Sequence, residues 1–299
     1  MFYFWNVRIK EAYHHLQQSL QPLYENREAS NIADLIMEDI TGWDRSKRVI
    51  HHDAELSEEQ LLQLMVDKEE LLHGRPTQYV LGHAWFCDMR FQVDEHVLIP
   101  RPETEELVMT VRRLYADMSK EDQRRIKLID IGTGSGCIAI ALKKYFPEWE
   151  VWGVDQSKKA LDVAKKNALL LDTAINFAQT DILTESKSDH LPAFDIIISN
   201  PPYIPLEDKS EMAGHVLDHE PHMALFVTNE DPLQFYKAIV AFSDHHLLRG
   251  GMIFFETHEH HAKGVVDLLE ENGFENIVTK KDFQGKDRIV HGRRMGASL

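Results

Sequence analysis

The sequence predicts an α/β protein: a mainly parallel sheet covered by helices on both faces, preceded by a small helical bundle. Three observations carry this. From about residue 126, β-type apolar runs alternate with amphipathic helical runs, the pattern of a parallel sheet wrapped by its crossover helices. The first of these strands enters a glycine-rich turn before its helix, "LIDIGTGSGCIAIAL". Before residue 75 the chain shows helical periodicity alone.

In chain order, "IKEAYHHLQQSLQPLY", "EASNIADLIMEDITG" and "SEEQLLQLMVDKEELLHG" space their apolar residues by three and four. Ser57 suits an N-cap with Gln60 three residues on, and Gly74 suits a helix stop. Ile32, Leu35, Ile36 and Ile40 form a stripe that would pack one helix on others. Residues 1–75 are therefore expected to be a helical domain. Residues 76–100, including "YVLGHAWFCDMRFQVDEHVLIP", are rich in β-formers and suggest a hairpin linker. The remainder, 101–299, opens with "PRPETEELVMTVRRLY", a proline-stiffened helix entry with acids in its first turn. Strands follow at "KLIDIG", "EVWGVD", "INFAQTD", "FDIIIS", "GGMIFFE", "FENIVTK" and "DRIVHG", with helices at "CIAIALKKYF", "SKKALDVAKKNALLL", "PLQFYKAIVAFSDHHLL" and "HHAKGVVDLLEEN".

Composition narrows the function. Forty-nine acidic against 33 basic residues leave a formal charge of −16, which argues against a long phosphate-neutralising surface. No apolar run approaches membrane-spanning length, and "MFYFWNVRIK" is too short for a secretory leader. Cys87 and Cys137 cannot form a disulfide framework or a cysteine metal site. A cytoplasmic protein without membrane attachment is expected.

The chemistry lies at the strand ends. Gly132, Gly134 and Gly136 allow a tight turn and close approach of a ligand to backbone. The spacing is GxGxG, unlike a dinucleotide loop, and no Lys-Ser/Thr follows as in a P-loop. Asp155 ends the next strand, where a carboxylate can accept from both ribose hydroxyls. Asp181 and apolar Ile182 end the third and suit an adenine amino group and ring face. "SNPPYIP" then places Asn200, Pro201, Pro202 and Tyr203 directly after an apolar strand. The prolines hold the backbone of Asn200 and Pro201 away from the helical region, and Tyr203 offers an aromatic face.

In this order "DIGTGSG", "VD", "TD" and "NPPY" resemble the Rossmann-like S-adenosylmethionine-dependent methyltransferases. More narrowly, "QYVLGHAWF", "LIPRPETEELV", "SNPPYIP", "EPHMAL" and "DFQGKDRIVHG" resemble the PrmC/HemK glutamine methyltransferases of peptide-chain release factors, from about residue 75 onward. The resemblance implies a seven-stranded sheet with its last strand antiparallel and an N-terminal substrate-recognition domain. It implies S-adenosylmethionine as cofactor and S-adenosylhomocysteine as product. The reaction implied is methylation of the glutamine side-chain nitrogen in the Gly-Gly-Gln loop of class I release factors. Cofactor contacts fall on Gly132, Thr133, Gly134, Ser135, Gly136, Asp155, Asp181, Ile182 and Asn200. Substrate contacts fall on Asn200, Pro201, Pro202 and Tyr203, with Asn200, Pro201 and Tyr203 in catalysis. An amide nitrogen is a poor nucleophile, so the site must supply alignment and acceptors. The Asn200 side-chain oxygen and the Pro201 carbonyl can be those acceptors.

The family usually has a small residue after the acid at Glu256; here Thr257 puts the shape of that pocket wall in question. "NPPY" alone also occurs in adenine-N6 and other amino-group methyltransferases of nucleic acid, and a non-catalytic cofactor-binding scaffold is a further alternative. Acidity, "PRPETE" and the intact "NPPY" weigh against both. His258, His260 and His261 lack zinc-site spacing, and no metal is expected. Arg101, Glu103 and Thr104 are expected to support the cleft, and "YIPLEDKSEMAGHVLDHEPHMALFV" to form a lid with Glu220-Pro221 near the site. Cys137 is expected to be packed rather than reactive. A monomer without direct nucleic-acid contact is expected.

Overall fold

The computed structural model describes residues 7–123, 126–184, 190–206, 219–228 and 230–296. The chain divides after Gly82 into two compact units.

The first unit contains α1 (Ile9–Leu20), α2 (Asn26–Thr41), α3 (Arg45–Ile50), α4 (Glu58–Leu72) and α5 (Thr77–Leu81). Leu16 and Leu20 of α1 pack with Ala29, Ile32 and Ile36 of α2 and Leu71 of α4. Ser57 caps α4 reciprocally: its Oγ accepts from Gln60 N at 3.2 Å, and Gln60 Oε1 accepts from Ser57 N at 2.9 Å. Leu35 departs from the expected stripe and is 45% exposed. The buried face of α2 is Ala29, Ile32, Ala33, Ile36 and Met37, and at 100° per residue Leu35 falls off it. Val80 and Leu81 pack on the same cluster, so the helical unit runs to Gly82 rather than 75.

The second unit begins with the hairpin β1 (His83–Phe86) and β2 (Met89–Gln92). Phe86 and Phe91 meet edge to face, centroids 6.0 Å apart. Both are wholly buried in one core with Leu107, Val111 and Trp149, so these residues belong to the larger unit's interior and not to a free linker. After α6 (Pro102–Leu114) and α7 (Lys120–Gln123) the alternation starts: β3 (Lys127–Ile131), α8 (Cys137–Tyr145), β4 (Glu150–Asp155), α9 (Lys158–Leu170), β5 (Asn176–Gln179) and β6 (Phe194–Ser199). The chain then passes through β7 (Ile204–Pro205), α10 (His222–Leu225), β8 (Phe226–Val227) and α11 (Gln234–His246). It closes with β9 (Leu247–Glu256), α12 (Ala262–Glu271), β10 (Phe274–Lys281) and β11 (Asp287–Arg294).

Seven strands form one sheet in the order β10-β11-β9-β6-β3-β4-β5. All run parallel except β11, the last in sequence, which is antiparallel to both neighbours. Strand order reverses at β3, which pairs with β4 on one side and β6 on the other. Ligands bind beyond the carboxyl ends of strands at such a switch. Wholly buried Asn167 of α9 braces this end: its Nδ2 donates to Gln92 O and Ser135 O, both at 2.9 Å, and its Oδ1 accepts from Gln92 N at 2.7 Å. The hairpin is thereby tied to the glycine loop. Residues 207–218, the middle of the stretch 203–227 read as a lid, lie outside the described residues.

Candidate active site

The glycine loop follows β3 because its backbone must turn and then start α8 against a neighbouring helix. Gly136 has φ +82°, and a Cβ there would stand 3.1 Å from Ile140 Cδ1 and 3.2 Å from Ala164 Cβ of α9. Gly132 N and Thr133 N both donate to Val154 O at 2.9 Å, which pins the turn to β4. Thr133 Oγ1 donates to Asp130 Oδ2 at 2.7 Å. Burial pushes the Asp130 carboxyl up to about 7.

Asp155, at the end of β4, faces this loop. Its Oδ2 accepts from Gly134 N at 3.0 Å and its Oδ1 from Ser157 N at 2.8 Å. Burial raises its titration, opposed by those backbone bonds. Each oxygen keeps a lone pair for a further donor.

Gly132, Gly134 and Asp155 line one cleft with Asp181, Ile182 and Asn200. Pro201 and Pro202 line it too. Thr133, Ser135 and Gly136 are not among the lining residues; Thr133 and Ser135 are almost wholly buried and shape the loop from behind. His96, Val97 and Leu98 line the cleft as well, as do Pro221, Met223 and Ala224. Sequence reasoning did not assign His96–Leu98 to the site, although their position just before "PRPETE" was a usable signal. No lysine or arginine lines the cleft among the described residues, whereas two carboxylates do. That pair of acceptors suits a cationic nucleoside and not a phosphate.

Behind Asn200 runs a hydrogen-bonded chain. Asn200 Nδ2 donates to Thr104 Oγ1 at 3.1 Å, and Thr104 Oγ1 donates to Glu256 Oε2 at 2.7 Å. Tyr203 Oη donates to Glu256 Oε1 at 3.1 Å, and Tyr236 Oη to Glu256 O at 2.9 Å. Glu256 ends β9 beside β6, wholly shielded, and burial raises its carboxyl above the usual range. The Tyr203 ring packs on the core, so it is not among the residues lining the cleft. Burial and the Glu256 charge raise its phenol well above the ordinary value.

The other expected supports fall as follows. Arg101 pairs with Glu220 at 2.6 Å, and Glu220, 1% exposed, also accepts from Ile99 N at 3.3 Å. Thr257 does not line the cleft; it turns away toward β11, with its N donating to Arg288 O at 2.8 Å. Cys137 is buried, and burial raises its thiol. His258 tilts over Tyr203 at 6.1 Å. Among the described residues no His, Cys, Asp or Glu cluster could hold a metal ion.

The strand order, the glycine loop and the acids at successive strand ends define the class, a Rossmann-like methyltransferase. A solved methyltransferase from Pyrococcus furiosus shares the fold at 13% identity and TM-score 0.50, covering 80% of this chain and 100% of that one. The model of the methyltransferase small domain matches residues 109–225, and that of the PrmC N-terminal domain matches 11–82. The chain is 39% identical over 273 residues to the release factor glutamine methyltransferase of Flavobacterium psychrophilum, covering 91% of this chain and 94% of that protein. Against its counterpart in Bacteroides thetaiotaomicron the identity is 38% over 280 residues, covering 94% and 98%. The chain belongs to the release factor glutamine methyltransferase (PrmC/HemK) family.

Proposed function

We propose that this protein uses S-adenosylmethionine to methylate the side-chain nitrogen of the glutamine in the Gly-Gly-Gln loop of class I release factors. The observation that carries the reading is one cleft that joins Gly134, Asp155 and Asp181 to Asn200 and Pro201. When bound, the cofactor supplies an electrophilic methyl group on a sulfonium. Gly132 and Gly134 would present backbone to it, Asp155 would accept from its ribose hydroxyls, and Asp181 with Ile182 would hold the adenine. Asn200 Oδ1 and the Pro201 carbonyl accept the two N–H bonds of the glutamine amide. This holds the nitrogen in line and favours its pyramidal form. Transfer of that methyl group to the aligned amide nitrogen is the chemistry the cofactor would supply here, its sulfur keeping the bonding pair. One amide proton then leaves to solvent, so no strong base is required.

We take the helical unit as the substrate-recognition domain and the protein as a cytoplasmic monomer that acts on protein. The excess of acidic residues supports a protein rather than a nucleic-acid substrate, and no helix among the described residues is long and apolar enough to cross a membrane. The test is transfer of labelled methyl from the cofactor to a release factor, to its Gln→Ala loop variant, and to DNA or RNA. Label on the release factor alone is expected. Label on nucleic acid, or label that survives the loop variant, would overturn the substrate; no transfer anywhere would favour a binding scaffold.

A further inference from the structure

Whether Asn200 can act as an acceptor depends on which way its amide is turned, and that is not decided by Asn200. The side chain presents two chemically opposite ends, a carbonyl oxygen and an NH2 group, of nearly equal size. Only the oxygen toward the cleft suits a substrate N–H; the NH2 group would meet it donor to donor.

The direction is set from the far end of the chain behind it. Both carboxylate oxygens of Glu256 take a hydroxyl hydrogen bond, Oε1 from Tyr203 Oη at 3.1 Å and Oε2 from Thr104 Oγ1 at 2.7 Å, the arrangement of an ionised acid that only accepts. A threonine hydroxyl has one proton, so Thr104 must spend it on Glu256 and offers only lone pairs elsewhere. Those lone pairs face Asn200 at 3.1 Å and can be satisfied only by its NH2 group. The reversed amide would set two acceptors against one proton. Glu256 itself cannot swing away. Its Oε1 accepts from Tyr203 Oη, its backbone oxygen from Tyr236 Oη, and its side chain is wholly enclosed. We infer that Thr104 and Glu256 are positioning residues that orient the Asn200 amide, so that a carboxylate with no substrate contact decides which end of Asn200 the glutamine meets. The inference rests on the proposed reaction and deepens it.

The chain has a polarity, so it can be reversed. In Glu256→Gln the amide that keeps its oxygen on the Tyr203 hydroxyl turns its new NH2 group to Thr104. Thr104 then accepts, its proton turns toward Asn200, and the amide flips to present NH2 to the substrate. Asn200→Asp alone sets two carboxylates against one hydroxyl proton. Combined with Glu256→Gln it does not: the introduced amide donates to Thr104, Thr104 donates to one new carboxylate oxygen, and the other oxygen faces the cleft as an acceptor.

The experiment measures methyl transfer to a release factor under saturating cofactor, together with cofactor affinity and thermal midpoint. Glu256→Gln is expected to lower kcat by about 100-fold with cofactor affinity kept. The double variant Asn200→Asp/Glu256→Gln should exceed Asn200→Asp by about tenfold or more, a rescue that a merely structural role would not produce. Thr104→Ser should keep activity and Thr104→Val should lose it, and this pair carries the test if the Glu256 variant does not fold. Additive losses in the double variant, or equal rates for Thr104→Ser and Thr104→Val, would overturn the inference while leaving the reaction intact. Failure of the unaltered protein to methylate the release factor would instead overturn the reaction, and the inference with it.

Discussion

Gly136→Ala isolates the physical reason for the last glycine of the loop. Two costs act there, a left-handed backbone and a contact with no room for a methyl group. Gly273 provides the comparison, because its φ is +74° but nothing lies within 4 Å of a Cβ built on it. The left-handed conformation costs an L-residue roughly 1–2 kcal/mol at either position. At Gly136 the new Cβ also meets Ile140 Cδ1 at 3.1 Å and Ala164 Cβ at 3.2 Å. The isoleucine tip can yield, but the Ala164 methyl cannot rotate away, and overpacking of this kind costs about 1–3 kcal/mol more. Gly136→Ala should therefore lose about 2–5 kcal/mol and Gly273→Ala about 1–2 kcal/mol. The gain from a stiffer unfolded chain is common to both and cancels in the difference. At roughly 2–4 °C per kcal/mol for a domain of this size, the two midpoints should separate by several degrees. Denaturant unfolding read beside calorimetric cofactor binding tests this, with affinity expected to fall only in Gly136→Ala. Equal destabilisation of the two variants would refute the close-packing argument.

Other substitutions separate binding from chemistry. Asn200→Ala should keep cofactor affinity while single-turnover methyl transfer falls by about 10²–10³-fold, the typical loss on removing one aligned polar group from a reacting centre. Asp155→Asn must turn an NH2 group toward either Gly134 N or Ser157 N. One backbone donor is then left facing a donor, which should weaken cofactor binding by about 1–3 kcal/mol in titration calorimetry. Arg101→Met strands the enclosed Glu220 carboxylate. Breaking such a pair costs about 3–5 kcal/mol, and somewhat less here because Arg101 is partly solvated; adding Glu220→Gln should restore most of the lost unfolding stability.

Much of the site was legible because it is local. A glycine loop must stand next to the strand it ends, and Asp155, Asp181 and Asn200 each close an apolar strand. Parallel strands place all those ends on one edge of the sheet, so the periodicity already implied one cleft. Boundaries and faces were less legible. Leu35 fits a three-residue spacing from Ile32 yet is exposed, because the helix rotation that buries Ala29 and Ala33 leaves no room for it. The hairpin reads as a connector, since nothing local tells that Phe86 and Phe91 will meet Leu107 and Trp149.

The amino-acid sequence by itself determined the alternation of strand and helix, the glycine turn, the acids at strand ends and the proline-held Asn200. Each depends on backbone preferences and side-chain periods within a few residues. Only the tertiary structure decided that Thr104 stands between Asn200 and Glu256, 96 and 152 residues away along the chain. The same holds for Arg101 meeting Glu220 across 119 residues and for His96–Leu98 lining the cleft. Those meetings follow from strand order, which places β9 beside β6 and β6 beside β3. Strand order is settled by how the helices cover the sheet, and no local pattern encodes it.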